Sequence, residues 1–414
     1  MRRVTSRPVN VAEDQPTSRS SATASLLVAY GGLHMVLFPI PIITIFWKDQ
    51  VGMSLTDIMT LQAIFSLAAV VSEFPSGYAA DRLGRRTSLL IAAVLGIAGW
   101  VAYATGTTFL GMVVAEVVLG AGMAFASGAD SALLFTSLQE TERVGEYQRW
   151  EGRVRATAQA SEAMSSALGG YLYSLSPRLP FWLQVPVAVT ALGTVMAMQE
   201  GPRAEQPARV SHLAQAWRII RHTLLHHARL RTTMVLSVTL GLSTFMMVWL
   251  IQPYMQSRGI PEPWFGPLWA AAHWYLAVVS LLSARVAERI GPQTVLLACC
   301  VLVAVGYGAL AFSTSAAAVA FYLCFMTVRG LHGPILMNVL QRDASEDARA
   351  SVLSLNALLF RLGFAVIGPP VGKLVDRLGQ EAALAVLGVG FFTATLVAFA
   401  AFRRAHGTRF ITAA

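Results

Sequence analysis

Pro292 to Val328 is a run of 37 residues without a single Asp, Glu, Lys or Arg, and no other feature limits the fold so tightly. A helix rises about 1.5 Å per residue, so this run would reach roughly 55 Å, whereas a bilayer core about 30 Å thick takes roughly 20 apolar residues. The run therefore predicts two crossings, with Ser313, Thr314 and Ser315 as the place to turn. Ser20–Trp47 and Thr232–Ser257 are also uncharged. The same reading along the chain predicts twelve helices at 22–47, 58–80, 88–105, 109–137, 154–175, 180–199, 232–254, 264–284, 293–312, 316–340, 351–373 and 380–401.

Composition agrees: 55% of residues are hydrophobic and 13% charged, where a soluble domain carries about a quarter charged. The net charge of +9 raises the question of a nucleic-acid partner, but the placement of the basic residues argues against one. With both termini inside, 24 of the 31 Lys and Arg fall in cytoplasmic segments. Lys48, Arg178, Arg258, Lys373 and Arg377 fall in outer loops, and Arg329 and Arg361 within helices. Such a bias predicts an even number of crossings with both ends in the cytoplasm. The first hydrophobic run is too long and begins too late for a cleaved signal peptide, so it reads as the first helix. Cys299, Cys300 and Cys324 all fall within predicted helices, which gives neither a disulfide framework nor a metal site. No cofactor is expected.

The chain contains its own repeat. AADRLGRRTSLL (Ala79–Leu90) aligns without gaps to VAERIGPQTVLL (Val286–Leu297), with six identities in twelve. Gly84 and Gly291 lie 207 residues apart, half the chain. The expected division is a cytoplasmic tail at 1–21, a six-helix bundle at 22–199, a cytoplasmic linker at 200–231, a second bundle at 232–401 and a cytoplasmic tail at 402–414. Within the linker, Val210, Leu213, Trp217, Ile220 and Leu224 are spaced by three and four, as in a helix lying on the inner leaflet.

GxxxDRxGRR, present as Gly77, Asp81, Arg82, Gly84, Arg85 and Arg86 between the second and third helices, resembles the signature of the major facilitator superfamily. The resemblance covers the whole chain. EFPSG at the end of the second helix, SGADSALL in the fourth and RASVLSL opening the eleventh resemble one group of its bacterial permeases. It implies an all-α integral membrane protein of twelve transmembrane helices in two pseudo-symmetric bundles, multi-pass in the bacterial cytoplasmic (inner) membrane. It also implies that Asp81 meets the start of the eleventh helix, near Ala350–Ser354, when the inner side closes. The same resemblance implies that Arg85 pairs with Asp130. Physically, Gly77 permits close helix approach, Gly84 a tight reversal, and Asp81 an attraction to the positive start of a helix. Pro292 and Gln293 replace the two Arg in the second copy, which predicts a weaker latch there.

Ionisable residues inside spanning helices cost roughly 2.5 to 3.5 kcal/mol each on insertion scales, so each is a functional candidate. Glu73, Glu116, Asp130 and Glu162 fall in the first half, Arg329 and Arg361 in the second. Many drug exporters of the superfamily carry an Arg where this chain has Glu116, four residues before Gly120; Arg329 precedes Gly333 in the equivalent helix. The family implies that the first, fourth, seventh and tenth helices line the cavity, so Glu116 and Arg329 are expected to face one another there, with Glu116 as proton carrier. Glu162 and Arg361 lie deep in their helices, while Glu73 and Asp130 sit nearer the inner surface. His34, His273 and His332 are more often residues bonded within the bundle than relays.

No Walker loop, zinc-ligand spacing or nucleophile motif is present, so neither an ATPase nor a hydrolase is expected, and the chain is not read as an enzyme. The expected function is alternating-access secondary transport, with protons and a small molecule as partners in the lipid bilayer and the monomer as working unit. Proton-coupled export of a small organic compound comes first, although the glycine- and proline-rich fifth-helix signature of many drug antiporters is absent. Uptake or exchange of an organic anion at Arg329 and Arg361 comes second, and a non-transporting membrane sensor or assembly factor third.

Overall fold

A computed structural model describes residues 17–201 and 227–407, which are almost entirely helical. The first half comprises α1 (Thr17–His34), α2 (Ile43–Gln50), α3 (Leu55–Arg82), α4 (Arg85–Thr105), α5 (Phe109–Ala126), α6 (Ala129–Glu140), α7 (Tyr147–Leu175) and α8 (Leu179–Ala197). The second comprises α9 (Ala228–Ser257), α10 (Phe265–Ile290), α11 (Pro292–Phe312), α12 (Tyr322–Asp343), α13 (Arg349–Leu378) and α14 (Gln380–His406). Among the described residues, ten helical segments are long and apolar enough to cross a membrane, with α5 and α6 forming one of them. The two remaining crossings are α7, whose first half is polar, and the first span, which the structure breaks into α1 and α2 around Pro39 and Pro41.

Helices mostly run past the apolar segments that predict them. The second bundle occupies Ala228–His406 rather than 232–401, because polar residues continue a helix beyond the hydrocarbon layer. The fourth span breaks at Gly128, which adopts a left-handed conformation (φ 78°). The surface helix expected within 200–231 falls outside the described residues.

Bonds at the helix ends define two poles. Thr23 Oγ1 donates to Gln199 O at 3.3 Å, and the backbone N–H groups of Arg85 and Arg86 each donate to the Glu200 carboxylate at 3.0 Å. In the second bundle Gln293 Nε2 donates to Gly407 O at 2.9 Å, and His406 Nε2 lies 3.0 Å from Asp343. Both described termini therefore lie at one pole, the terminal end.

At the opposite end the bundles are stitched together. Gln252 of α9 accepts from Thr44 N–H at 2.8 Å and donates to Ile40 O at 2.9 Å. Gln256 accepts from Lys48 Nζ at 2.8 Å and donates to Asp49 at 2.6 Å. Glycines allow backbones to touch: an added Cβ at Gly170 of α7 would run into Glu262 and Gly266 of the other bundle. One apolar cluster containing Phe46, Trp47, Phe181, Trp249 and Phe265 spans both halves here. Towards the terminal end, Leu27, Leu89 and Leu134 form one cluster and Met234, Leu340 and Leu355 a separate one. The molecule is closed at the opposite end and parted at the terminal end.

Candidate transport site

Glu116 is the only fully buried carboxylate among the described residues, at 4% exposure. Its Oε1 accepts from Gln62 Nε2 of α3 at 2.8 Å and from the hydroxyl of Tyr103 on α4. Tyr103 is itself buried against Phe181 and beside Trp47 and Trp100. Among the described residues no cation is bonded to Glu116, so an ionised carboxylate here would rely on two neutral donors in an apolar surround. The expectation that Glu116 faces Arg329 is corrected. Its side of α5 packs into its own bundle, a direction that spacing from Gly120 does not specify.

Arg329 of α12 is half-buried and has no hydrogen bond or ion pair among the described residues. The acid within its electrostatic range is Glu162 of α7, in the other bundle. His273, His332 and Tyr322 also lie within range of its charge. The first two are bonded locally, His273 Nδ1 to Trp269 O at 3.0 Å and His332 Nδ1 to Val328 O at 2.6 Å, and His273 stacks on Trp269. His34 stacks on Tyr30 in the same bundle-internal way.

Arg361 of α13 is paired, its Nη1 donating to Glu73 Oε1 of α3 across the bundle boundary. That bond brings together two sequence candidates that chain distance kept apart. It also removes Arg361 from the free cations.

In the glycine- and charge-rich turn after α3, Gly77 and Asp81 are disengaged. Asp81 is exposed, without a hydrogen bond or ion pair among the described residues, and nothing lies within 4 Å of a Cβ placed on Gly77. The implied contact of Asp81 with the start of α13 is thus not made in this conformation, because the terminal end is parted. Arg85 does not pair with Asp130 as expected: its Nη1 donates to Ala132 O at 3.1 Å, and Asp130 Oδ1 accepts from Ser131 N–H at 2.7 Å. Arg86 donates to Met196 O at 2.7 Å, and the Arg82 guanidinium lies over the Tyr78 ring. Glu200, which anchors the backbone of this turn, was not singled out from sequence, since a carboxylate 114 residues away carries no local signal.

Two antiparallel-helix bundles closed at one end around a charged, partly open interior define a multi-pass membrane transporter. A model of the Major Facilitator Superfamily matches residues 23–367, and the chain belongs to that family. Its fold is similar to that of the nucleoside transporter NupG (TM-score 0.77, 13% identity, covering 92% of this chain and 99% of that one). It is also similar to a D-xylose-proton symporter (TM-score 0.71, 14% identity, 92% and 97% covered). A POT family transporter in complex with 5-aminolevulinic acid is similar too (TM-score 0.73, 12% identity, 94% and 97% covered). No curated protein matches the chain. At these identities the structural likeness speaks for the fold, and the family for secondary transport of a small molecule.

Proposed function

We propose that this chain is a monomeric, proton-coupled transporter that exports a small organic compound across the bacterial cytoplasmic membrane, with both termini in the cytoplasm. In that orientation the parted terminal end opens inward. The observation that carries proton coupling is Glu116, a buried carboxyl held by two neutral donors with no bonded cation among the described residues. Protonation removes the charge that such a site disfavours, so a proton can be taken up in one conformation and released in another. Glu162 and Arg329 lie on facing bundles and form the substrate region. Gly77, Asp81, Arg82, Gly84, Arg85 and Arg86 form the inner latch, whose Gly77 and Asp81 are released in this conformation.

A thermal-shift screen across dyes, antibiotics, sugars, siderophores and carboxylates supplies a substrate, and proteoliposomes then test the coupling. Glu116→Gln should abolish proton-driven transport and retain substrate exchange; full driven transport by the variant would refute the assignment. A second reading, exchange of an organic anion, is favoured by one observation: Arg329 has no hydrogen bond or ion pair among the described residues. A guanidinium presents a planar fork of donors that suits a carboxylate or phosphate. Flux indifferent to a pH gradient and to Glu116, but lost in Arg329→Gln, selects that reading.

A further inference from the structure

The motif that opens the inner turn occurs again at the other pole. Gly372–Gly379 reads GKLVDRLG against GYAADRLG at Gly77–Gly84, identical at five of eight positions, including both glycines and the Asp. The backbone repeats as well: Gly84 has φ 110° and ψ 156°, and Gly379 has φ 80° and ψ 162°. The second copy ends α13 and lies at the closed, opposite end.

There its parts are engaged. Asp376 Oδ1 accepts from Leu55 N–H at 2.9 Å, and Oδ2 accepts from Thr56 N–H at 2.8 Å and from the Thr56 hydroxyl. Leu55 and Thr56 are the first two residues of α3, whose N–H groups have no partner within the helix and form its positive pole. Ser54 Oγ takes the next one, Asp57 N–H, at 3.1 Å. Gly372 brings α13 against this start, since a Cβ there would meet the Leu55 carbonyl and the Thr56 backbone. At the terminal end the same parts stand unused, with Gly77 facing open space and Asp81 exposed.

The two helices run in opposite directions. α3 starts at the closed end and carries Asp81 in its last turn; α13 starts at the parted end and carries Asp376 in its last turn. Each carries at its tail a carboxylate suited to the head of the other. We propose that Asp376 is a gating residue that latches the opposite end by capping α3, and that Asp81 is its alternate, capping Arg349 and Ala350 of α13 when the terminal end closes. One bond set breaks as the other forms. The proposal rests on the alternating-access reading above, but its test needs no substrate.

Spin labels on cysteines at Ser176 and Thr314 report the opposite end, and labels at Arg149 and Glu346 the terminal end. All four residues are exposed. Asp376→Asn should shift the ratio of the two states about tenfold towards the form parted at the opposite end, the scale of losing charged hydrogen bonds. Asp81→Asn should shift it about tenfold the other way. Thr56→Pro removes both the N–H and the hydroxyl that Asp376 Oδ2 accepts, within the first turn, where Pro is tolerated, and should follow Asp376→Asn. It decides the matter alone if the Asp376 variant does not fold. Unchanged distances, or movement of Asp376→Asn and Asp81→Asn in the same direction, would overturn the proposal. A variant set that switches as described in a protein without transport keeps the latch and rejects the transport reading; transport without switching does the reverse.

Discussion

The two ends of the molecule are built from similar parts in opposite states. At the opposite end, Gln252, Gln256 and Asp376 direct side-chain bonds at backbone or polar groups of the other bundle, over an apolar cluster shared by both. At the terminal end the apolar clusters are separate, and bonds such as His406 with Asp343 or Glu200 with the 85–86 backbone stay within one bundle. Directed hydrogen bonds are well suited to an end that must open, because water replaces them at a net cost of only about 0.5–1.5 kcal/mol each. A seam that opens in water loses less this way than one closed by apolar surface alone.

Steric intrusion should break this comparison most strongly. In Gly170→Val the new side chain meets backbone of Glu262 and Gly266, and overpacking of this kind costs about 1–3 kcal/mol. A cysteine placed at the buried Ser166 should then react with a membrane-impermeant thiol reagent added from the opposite side. Gly77→Val, at the parted end, should leave that labelling low; equal labelling in both variants would remove the distinction between the ends.

A smaller effect is expected from Gln252→Leu, which leaves Thr44 N–H buried without its acceptor, a loss of about 1–3 kcal/mol partly relieved by relaxation. The unfolding midpoint in detergent should fall, whereas Asn356→Leu, which loses one long bond to Ser237 within the second bundle, should hardly move it. A larger fall for Asn356→Leu would place the critical polar bonds elsewhere.

Glu73→Gln tests an ion pair that crosses the bundle boundary, that with Arg361. Glu73 is 53% exposed, so about 0–1 kcal/mol is expected, and the midpoint should shift little. A shift as large as that of Gln252→Leu would make this pair a principal fastening.

The smallest effect concerns pH at the terminal-end turn after α6. The side-chain hydrogen bond from Arg143 lowers the Glu146 carboxyl from its ordinary value of 4.5, and the pair is exposed. A depressed carboxylate contributes above its unfolded-state value and loses that contribution as pH falls through its folded-state value. The difference in unfolding midpoint between the native protein and Glu146→Gln should therefore be greatest above pH 4.5 and close below it. A gap that widens on acidification would contradict the assigned bond.

Much of the architecture was legible in the sequence because the hydrocarbon layer imposes a length on each apolar run. The starts of α5 and α14 fall at the expected residues, 109 and 380. The polar first half of α7 was not legible, since its helix begins at Tyr147, outside the apolar segment at 154–175. The site was legible as a set of charges but not as a set of pairs. Glu73 with Arg361 and Glu162 near Arg329 depend on which helix faces meet between bundles, and that lies beyond local spacing. Asp376 is different. GKLVDRLG stood in the chain as plainly as GYAADRLG, but a repeat search at half the chain length does not pair turns at opposite poles.

Three turns of this protein, at Gly84, Gly291 and Gly379, begin a helix with nearly the same backbone shape, φ between 80° and 110°. Their neighbouring charges have diverged, from two Arg to Pro and Gln to Gln and Glu. A side chain other than glycine is strained at such φ, while the charges around it can be exchanged without disturbing the bend. The bend is then the fixed part of each turn and the electrostatics the exchangeable part, so one backbone hinge can serve ends of the molecule that carry different charges.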